Sequence, residues 1–426
     1  MLKILKEAYT LRKNLLKDPL DLEGVQSFHL KNLVKYSYEN VAYYRKIFDE
    51  AGLEPRDVKD VSDIVKLPMT KKEDIQSGNL LDFIASDVDI GMCRKTTTSG
   101  STGLPLSVYA DRRSGLIDDA SWVRAHLERG LNVWDKMALL QDPRYFPSSP
   151  SYLERLRILR RRYISIFDDR ETQLSRLEEY APDVIRSYPS SLMILVNING
   201  EVEVDPRLIF TSGELLDDYT RDKISSCFHG DLLDNYSSNE LSLIAWECKE
   251  HSGYHINADT MIVETVRDGE PVAPGERGEI VCTKLFNYAM PLLRYRLGDT
   301  GVLSEERCSC GNPLPLIKIV EGRTDDFLLT TDGRIISPLV FFPYPFDDYV
   351  GIKQFRVIQE RRDRIVIQIV LKDGFEESSV DLPSVIEDVQ SVFGKDMNVV
   401  FKFLGELGID SSGKIRKILS RVPFRF

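Results

Sequence analysis

The order of secondary-structure signals along this chain is its strongest constraint. Residues 24–50 carry apolar side chains at three- and four-residue intervals (Val25, Phe28, Leu30, Leu33, Val34) and predict helix. Thr70, followed three residues later by Glu73, has the pattern of a helix N-cap with a capping box. A second helical pattern runs from 113 to a stop near Gly130, and 170–200 reads as helix, turn (Tyr188-Pro189-Ser190), helix. Leu208-Ile-Phe-Thr is a strand leading into Ser212-Gly213-Glu214 and another helix, and 260–266 and 278–284 are strands separated by the Gly269–Gly275 turn region. Such alternation predicts an α/β fold with its site on strand-end loops. The style changes after 323, where strands at 353–360 and 364–371, a helix over 380–394 and a strand at 397–403 make a small α+β unit. The expected division is therefore 1–322 and 323–426.

Bulk properties fit two or three domains in one soluble chain, since 426 residues exceed one ordinary core. The net charge of −11 argues against nucleic acid as the main partner, because no basic stripe offsets it. The cluster Arg155, Arg157, Arg160, Arg161 and Arg162 reads as a solvated helix face. No apolar run approaches the roughly 20 residues of a membrane helix, and the N-terminus lacks a signal peptide's apolar core. A cytoplasmic protein without a membrane partner is expected. Six cysteines in so long a chain make no disulfide framework.

The segment Thr96-Thr-Thr98-Ser99-Gly100-Ser101-Thr102-Gly103-Leu-Pro105 has the chemistry of a polyanion cradle. Its glycines let the backbone approach closely, and N–H groups and hydroxyls supply donors. It is not a Walker loop, which needs four residues between its glycines and then Gly-Lys-Ser/Thr. Four downstream segments add separate chemistry. Asp234-Asn235-Tyr236-Ser-Ser-Asn239-Glu240 reads as a loop joining an aromatic ring to a carboxylate suited to magnesium beside phosphates. Asp299, beside Gly298 at the end of a strand, suits two ribose hydroxyls. Gly322-Arg323-Thr-Asp325 falls at the domain boundary, where hinges lie. Lys414, on a glycine-bearing loop, is a cation suited to a transferring phosphoryl group.

In this order and spacing the motifs resemble the adenylate-forming superfamily of acyl-coenzyme A synthetases, adenylation domains and luciferases. The match covers residues 96 to about 417. Asn40-Val-Ala-Tyr43-Tyr44-Arg45 and Leu67-Pro68-Met69-Thr70-Lys71 look like the phenylacetate–coenzyme A ligase branch, and Pro182-Asp-Val-Ile-Arg-Ser-Tyr188-Pro189-Ser190 is similar to its capsular polysaccharide members. The resemblance implies a large N-terminal adenylate-forming domain of mixed sheets and helices and a small mobile C-terminal domain. It implies that Thr98 to Gly103 cradle the β- and γ-phosphates of ATP. Ser212, Gly213 and Glu214 would line the adenine edge, with Asn235 and Tyr236 beside them and the Tyr236 ring on its face. Asp299 and Arg323 would hold the ribose, Glu240 magnesium, and Asp325 the hinge. Lys414 would bridge the attacking carboxylate and the α-phosphate. The implied reaction activates a carboxylic acid as acyl-AMP and passes it to a thiol, coenzyme A; a homodimer is common in the branch. Ser237 and Asn239 depart from the family's glycine and hydroxyl residue at these positions, and the glycine-rich aromatic segment of phenylacetate ligases is missing.

Cys308-Ser-Cys310-Gly resembles a metal knuckle, and Cys248 precedes His251 and His255 on a separate stretch. Three thiolates and one imidazole make a closed, structural tetrahedral zinc site. His255 is preferred over His251; the competing reading makes His255 a lining residue of the acyl pocket. That pocket is expected between residues 120 and 255, with Trp122, Tyr188 and Trp246 as its candidates. Two other readings stand beside the coenzyme A ligase: acyl transfer to an amine, hydroxyl or carrier protein, and a non-catalytic ATP-binding scaffold.

Overall fold

The computed structural model describes residues 2–17, 19–97, 106–147, 152–196, 203–323, 328–333, 335–336, 351–408 and 417–422. Strands β1 (Arg94–Thr97) and β2 (Ser107–Ala110) form a small antiparallel pair. Twelve more strands build one mixed sheet: β3 (Lys136–Gln141), β4 (Arg160–Ser165), β5 (Val184–Ser187), β6 (Leu208–Ser212), β7 (Asp231–Ser238), β8 (Ser242–Glu247), β9 (Tyr254–Ile256), β10 (Met261–Arg267), β11 (Glu270–Pro271), β12 (Arg277–Lys284), β13 (Tyr295–Leu303) and β14 (Leu316–Arg323). Their order across the sheet is β11-β10-β12-β13-β14-β9-β8-β7-β6-β5-β3-β4. The β4-β3-β5-β6-β7 end is parallel, and from β7 onward neighbours are antiparallel.

The parallel end is covered on both faces, as such sheets require. Ile185, Ile209 and Leu232 pack with Leu177, Leu192 and Ile224 of the helices Arg170–Tyr180, Pro189–Val196 and Asp218–Cys227. Val184, Leu208, Phe210 and Leu233 occupy the other face. There the helix Arg112–Glu128 sets His126 against Phe210, with ring centroids 4.4 Å apart. Asp111 caps that helix by accepting from the N–H groups of Arg113 and Ser114.

Several readings of the sequence need correction, among them the arginine cluster, since Arg160, Arg161 and Arg162 lie on β4 rather than on a helix face. The helix expected over 24–50 is two, Pro19–Asn40 and Ala42–Glu50, broken at Val41. Val41 is fully buried and extended (φ −116°, ψ 113°), and the break brings Tyr44 and Phe48 into the same core. Thr70 caps no helix. Its backbone pairs with Arg294 and Arg296 at the start of β13, and its hydroxyl donates to the Leu293 carbonyl. The helix Lys72–Ser77 is closed instead by Lys71 and Asp74. Between 170 and 200 a parallel strand, β5, stands between the two expected helices, ahead of the Tyr188-Pro189-Ser190 turn, because its apolar pair Val184 and Ile185 serves both faces of the sheet. Asp234 to Ser238 is strand rather than loop, and Asp299 lies inside β13 at an irregularity near Gly298 (φ +80°) rather than at its end.

Beyond the large sheet, β15 (Leu328–Leu329) and β16 (Ile335–Ile336) pair, and a second sheet follows in the order β19-β18-β17-β20. It comprises β17 (Ile352–Arg361), β18 (Arg364–Leu371), β19 (Asn398–Phe403) and β20 (Ile418–Ser420). The helix Leu382–Phe393 lays Val385, Val389 and Phe393 on Val357, Ile365, Ile367 and Ile369. β17 buries Val357, Ile358 and Gln359 in succession, so this sheet is covered on both faces there, with Gln359 bonded to the Leu329 backbone. Among the described residues no helix is long and apolar enough to cross a membrane.

Candidate functional site

The carboxyl ends of β5, β6 and β7 face one cleft edge, the usual ligand position of an open α/β sheet. β6 delivers Ser212, which is buried, and Gly213, whose φ of +82° turns the chain sharply. The Glu214 carboxylate then accepts from the N–H and the hydroxyl of Ser190, each at 2.8 Å, tying the β6 loop to the helix that follows β5. Asn235 points into the protein. Its amide donates to the Thr211 carbonyl at 2.7 Å, and its oxygen accepts from Arg129 at 2.6 Å. Any contact of Asn235 with a nucleotide is therefore left to its backbone.

Tyr236 crosses the sheet to the β13 irregularity, where its hydroxyl donates to Asp299 Oδ2 at 2.7 Å. Arg323 lies opposite Asp299 in the β13–β14 register. Glu240 is buried just beyond β7 and accepts from the Tyr295 hydroxyl at 3.4 Å. Beside it, Asn239 donates to the Thr97 carbonyl at 3.2 Å. Thr97 pairs with Ser107, so this bond fastens the loop end of the β1–β2 pair to the Glu240 turn. The departure from the family pattern at 239 thus has a physical role, which sequence alone could not reveal. Thr98, Ser99, Gly100, Ser101, Thr102, Gly103, Asp325 and Lys414 lie outside the described residues.

On the far side of β7 a second cluster forms. Ligand atoms of Cys248, His255, Cys308 and Cys310 all lie within 4.8 Å of one another. Cys248 Sγ is 3.5 Å from Cys308 Sγ, and Cys310 Sγ is 3.3 Å from His255 Nε2. A tetrahedral zinc with bonds of about 2.0–2.3 Å has ligand–ligand edges of roughly 3.3–3.8 Å, so these spacings fit. His255 Nδ1 meets the Leu314 carbonyl at 3.4 Å, which directs Nε2 to the cluster. Burial pushes the His255 imidazole down to about 4, the neutral form a metal needs, and pushes the Cys248 thiol up to about 12. A cation is what would convert such thiols to thiolates. The Asn312 N–H donates to Cys310 Sγ, and Ser309 donates to Glu250, joining the two sequence stretches. Gly253 makes the approach feasible, because a Cβ there would fall 2.6 Å from the Ile317 carbonyl oxygen. His251 faces elsewhere, 3.0 Å from Glu247.

The acyl-pocket candidates separate. Trp246 is core: it is buried, with its indole N–H donating to Asn257 and its ring 5.0 Å from His255. Trp122 and Tyr188 stay half-buried at the sheet end. Sequence reasoning missed Arg186 between them, whose guanidinium lies 4.2 Å over the Trp122 ring. Recognising Val184–Ser187 as a strand would have placed it on the cleft face. It also missed the buried pair of Arg124 and Asp259, which share hydrogen bonds of 2.5 and 3.0 Å.

Known proteins give the same frame. Residues 328–421 match the CapK C-terminal domain. The phenylacetate–coenzyme A ligase of Thermus thermophilus is 25% identical over 93% of this chain and 96% of its own length. Protein CapK of Staphylococcus aureus is 22% identical over 96% of this chain and 91% of its own. In structure, 2-hydroxyisobutyryl-CoA ligase in complex with 2-HIB-AMP aligns with a TM-score of 0.75 at 18% identity, covering 95% of this chain and 90% of that one. With the motif order and the mixed sheet, these likenesses place the chain in the adenylate-forming superfamily, in the branch of the phenylacetate–coenzyme A ligases and CapK.

Proposed function

We propose that this protein activates a carboxylic acid with ATP as an acyl-adenylate and then passes the acyl group to coenzyme A. The observation that carries this reading is the meeting of Ser212-Gly213-Glu214, Tyr236, Asp299 and Glu240 at one sheet edge, beside the Thr97–Ser107 base of the hydroxyl-rich segment. Tyr236 and Asp299, already hydrogen-bonded, form a wall for the nucleoside. A carboxylate oxygen attacks the α-phosphorus, the bond to the β-phosphate bridging oxygen breaks, and pyrophosphate leaves. The coenzyme A thiol then attacks the acyl carbonyl and expels AMP. Lys414 neutralises charge on the pentavalent phosphorus, with the domain of 323–426 turning about Asp325 between the steps. Glu240 is the residue to hold magnesium, which supplies further neutralisation of phosphate charge when bound. Cys248, His255, Cys308 and Cys310 would hold a zinc, which with four protein ligands would be structural rather than catalytic.

Carboxylate-dependent exchange of pyrophosphate into ATP, across a panel of acids, tests the reading. Exchange with at least one acid is expected; ATP binding without exchange for any acid would leave only the scaffold. Lys414→Ala is expected to slow adenylation by about 100-fold or more. It should spare thiolysis of a supplied acyl-adenylate, and equal loss in both half-reactions would remove Lys414 from its role.

A further inference from the structure

Among the described residues, Arg186 is a cation without a counterion. It sits on β5 in register with Leu139 of β3 and Phe210 of β6, on the face that meets the helix Arg112–Glu128. Its guanidinium stacks over Trp122, and among the described residues it forms no hydrogen bond and no ion pair. The groups that act on it electrostatically are Tyr188, Tyr163 and a second cation, Arg161; no carboxylate is among them. Arg161 already donates to Glu154 at 2.8 Å, so that carboxylate is engaged.

Other buried cations nearby are treated differently. Arg124 and Arg129 have both terminal nitrogens hydrogen-bonded within the protein. Leaving a guanidinium half-buried with only a ring to face is costly, and stacking on an indole recovers a small part of that. A second polar atom nearby is also unsatisfied. His126 is 6% exposed, and its Nε2 has no hydrogen-bond partner although the ring is held between Trp122 and Phe210. Burial and the charges of Arg129 and Arg186 keep that imidazole neutral.

The location gives the pair its meaning. Arg186 lies one residue before the end of β5 and Phe210 two residues before the end of β6, so their backbone positions are roughly 3–7 Å below the strand ends. That depth is where the body of an acid would reach if its carboxylate were activated at the edge. We propose that Arg186 anchors a second anionic group of the substrate, so that the acid activated here is a dicarboxylate or a close equivalent. The fork of a guanidinium suits a carboxylate bidentately, and the Trp122, His126, Tyr163, Tyr188 and Phe210 rings suit the carbon skeleton between the two charges. This inference rests on the adenylation reading for which of the two groups reacts.

The test uses the full chain and matched acids. Pyrophosphate exchange is measured with dicarboxylic acids from malonate to suberate and the phthalates, each beside its monoamide. In the wild type the best diacid is expected to exceed its monoamide in kcat/KM by about 10- to 100-fold, the scale of one charge-assisted contact. Arg186→Met should bring that ratio close to one, chiefly through KM, and Arg186→Lys should restore part of it. A wild type that uses monoamides or simple monocarboxylates as well as diacids overturns the proposal, and this comparison needs no variant. If no acid supports exchange, the adenylation reading fails, and direct titration decides the anchor separately. Saturable quenching of tryptophan fluorescence by a diacid, lost in Arg186→Met, would still support an anion site at Arg186, whereas no binding by any diacid would remove it.

Discussion

Two guanidinium sites involve the helix Arg112–Glu128, one on it and one against it, and they solve the same electrostatic problem in opposite ways. Arg124, fully buried, meets Asp259 through two bonds, Asn257 at 2.6 Å and the Leu11 carbonyl at 3.2 Å. It fastens the N-terminal helix Leu2–Asn14 to the turn after β9. Arg186, against Trp122 of the same helix, has a ring and, among the described residues, no anion. A buried charge with its partner in place is structure; one left unpaired at a cleft is a demand for a ligand. Arg124→Met should therefore cost about 3–5 kcal/mol, because it strands the Asp259 carboxylate in the core. Arg186→Met, which strands nothing, should stay within about 1 kcal/mol of wild type or stabilise the fold. Urea unfolding of both variants measures the contrast. Comparable losses at the two sites would make Arg186 a packing residue and end the distinction.

The cysteine–histidine cluster belongs to Arg124's side of this contrast. Asn257 accepts from both Arg124 and Trp246, and the Trp246 ring lies against His255, so cluster and ion pair share one wall. Cys308→Ser is expected to abolish one bound zinc per chain, read by elemental analysis. It should destabilise by ~2–3 kcal/mol, above the ~1 kcal/mol of an ordinary substitution. Chelation of the wild type should lower its Tm in the same direction. Purified wild type without zinc, and a Tm indifferent to chelator, would reduce the cluster to buried thiols.

How legible these sites were in the sequence follows from what each depends on. The strands at 352–361 and 364–371 and the helix after them were readable because a run rich in β-branched residues and an amphipathic helix are both written into consecutive residues. The four cluster residues stood out by chemistry, since cysteine and histidine are scarce here. Strand β5 did not, because only four residues long and buried on both sides it has no period to detect. Arg186 was hidden with it. Thr70 misled for a related reason: a Thr followed by a Glu at the third residue looks like a local cap, but the side chain bonds to Leu293, 223 positions away. Asn239 looked like a defect in a motif until its bond to Thr97 appeared. Local rules recover what neighbours in sequence decide, and these residues are decided by neighbours in space.

The smallest expected effect tests whether the nucleotide edge follows the paired pattern of Arg124 or the unpaired one of Arg186. Tyr236 already donates to Asp299, and both residues are half-buried, so removing the phenol leaves a carboxylate that water can reach. Tyr236→Phe keeps the ring and its face, and loses one hydrogen bond worth about 1 kcal/mol. The KM for ATP should rise about 5-fold, with kcat little changed, because the bond orients Asp299 rather than touching the reacting phosphorus. Tyr236→Ala removes the ring as well and should weaken ATP further. If Tyr236→Phe instead lowered kcat by about 100-fold, the phenol would be acting on charge that develops only in the transition state. The edge would then carry a catalytic demand of its own, beside the ligand demand read at Arg186.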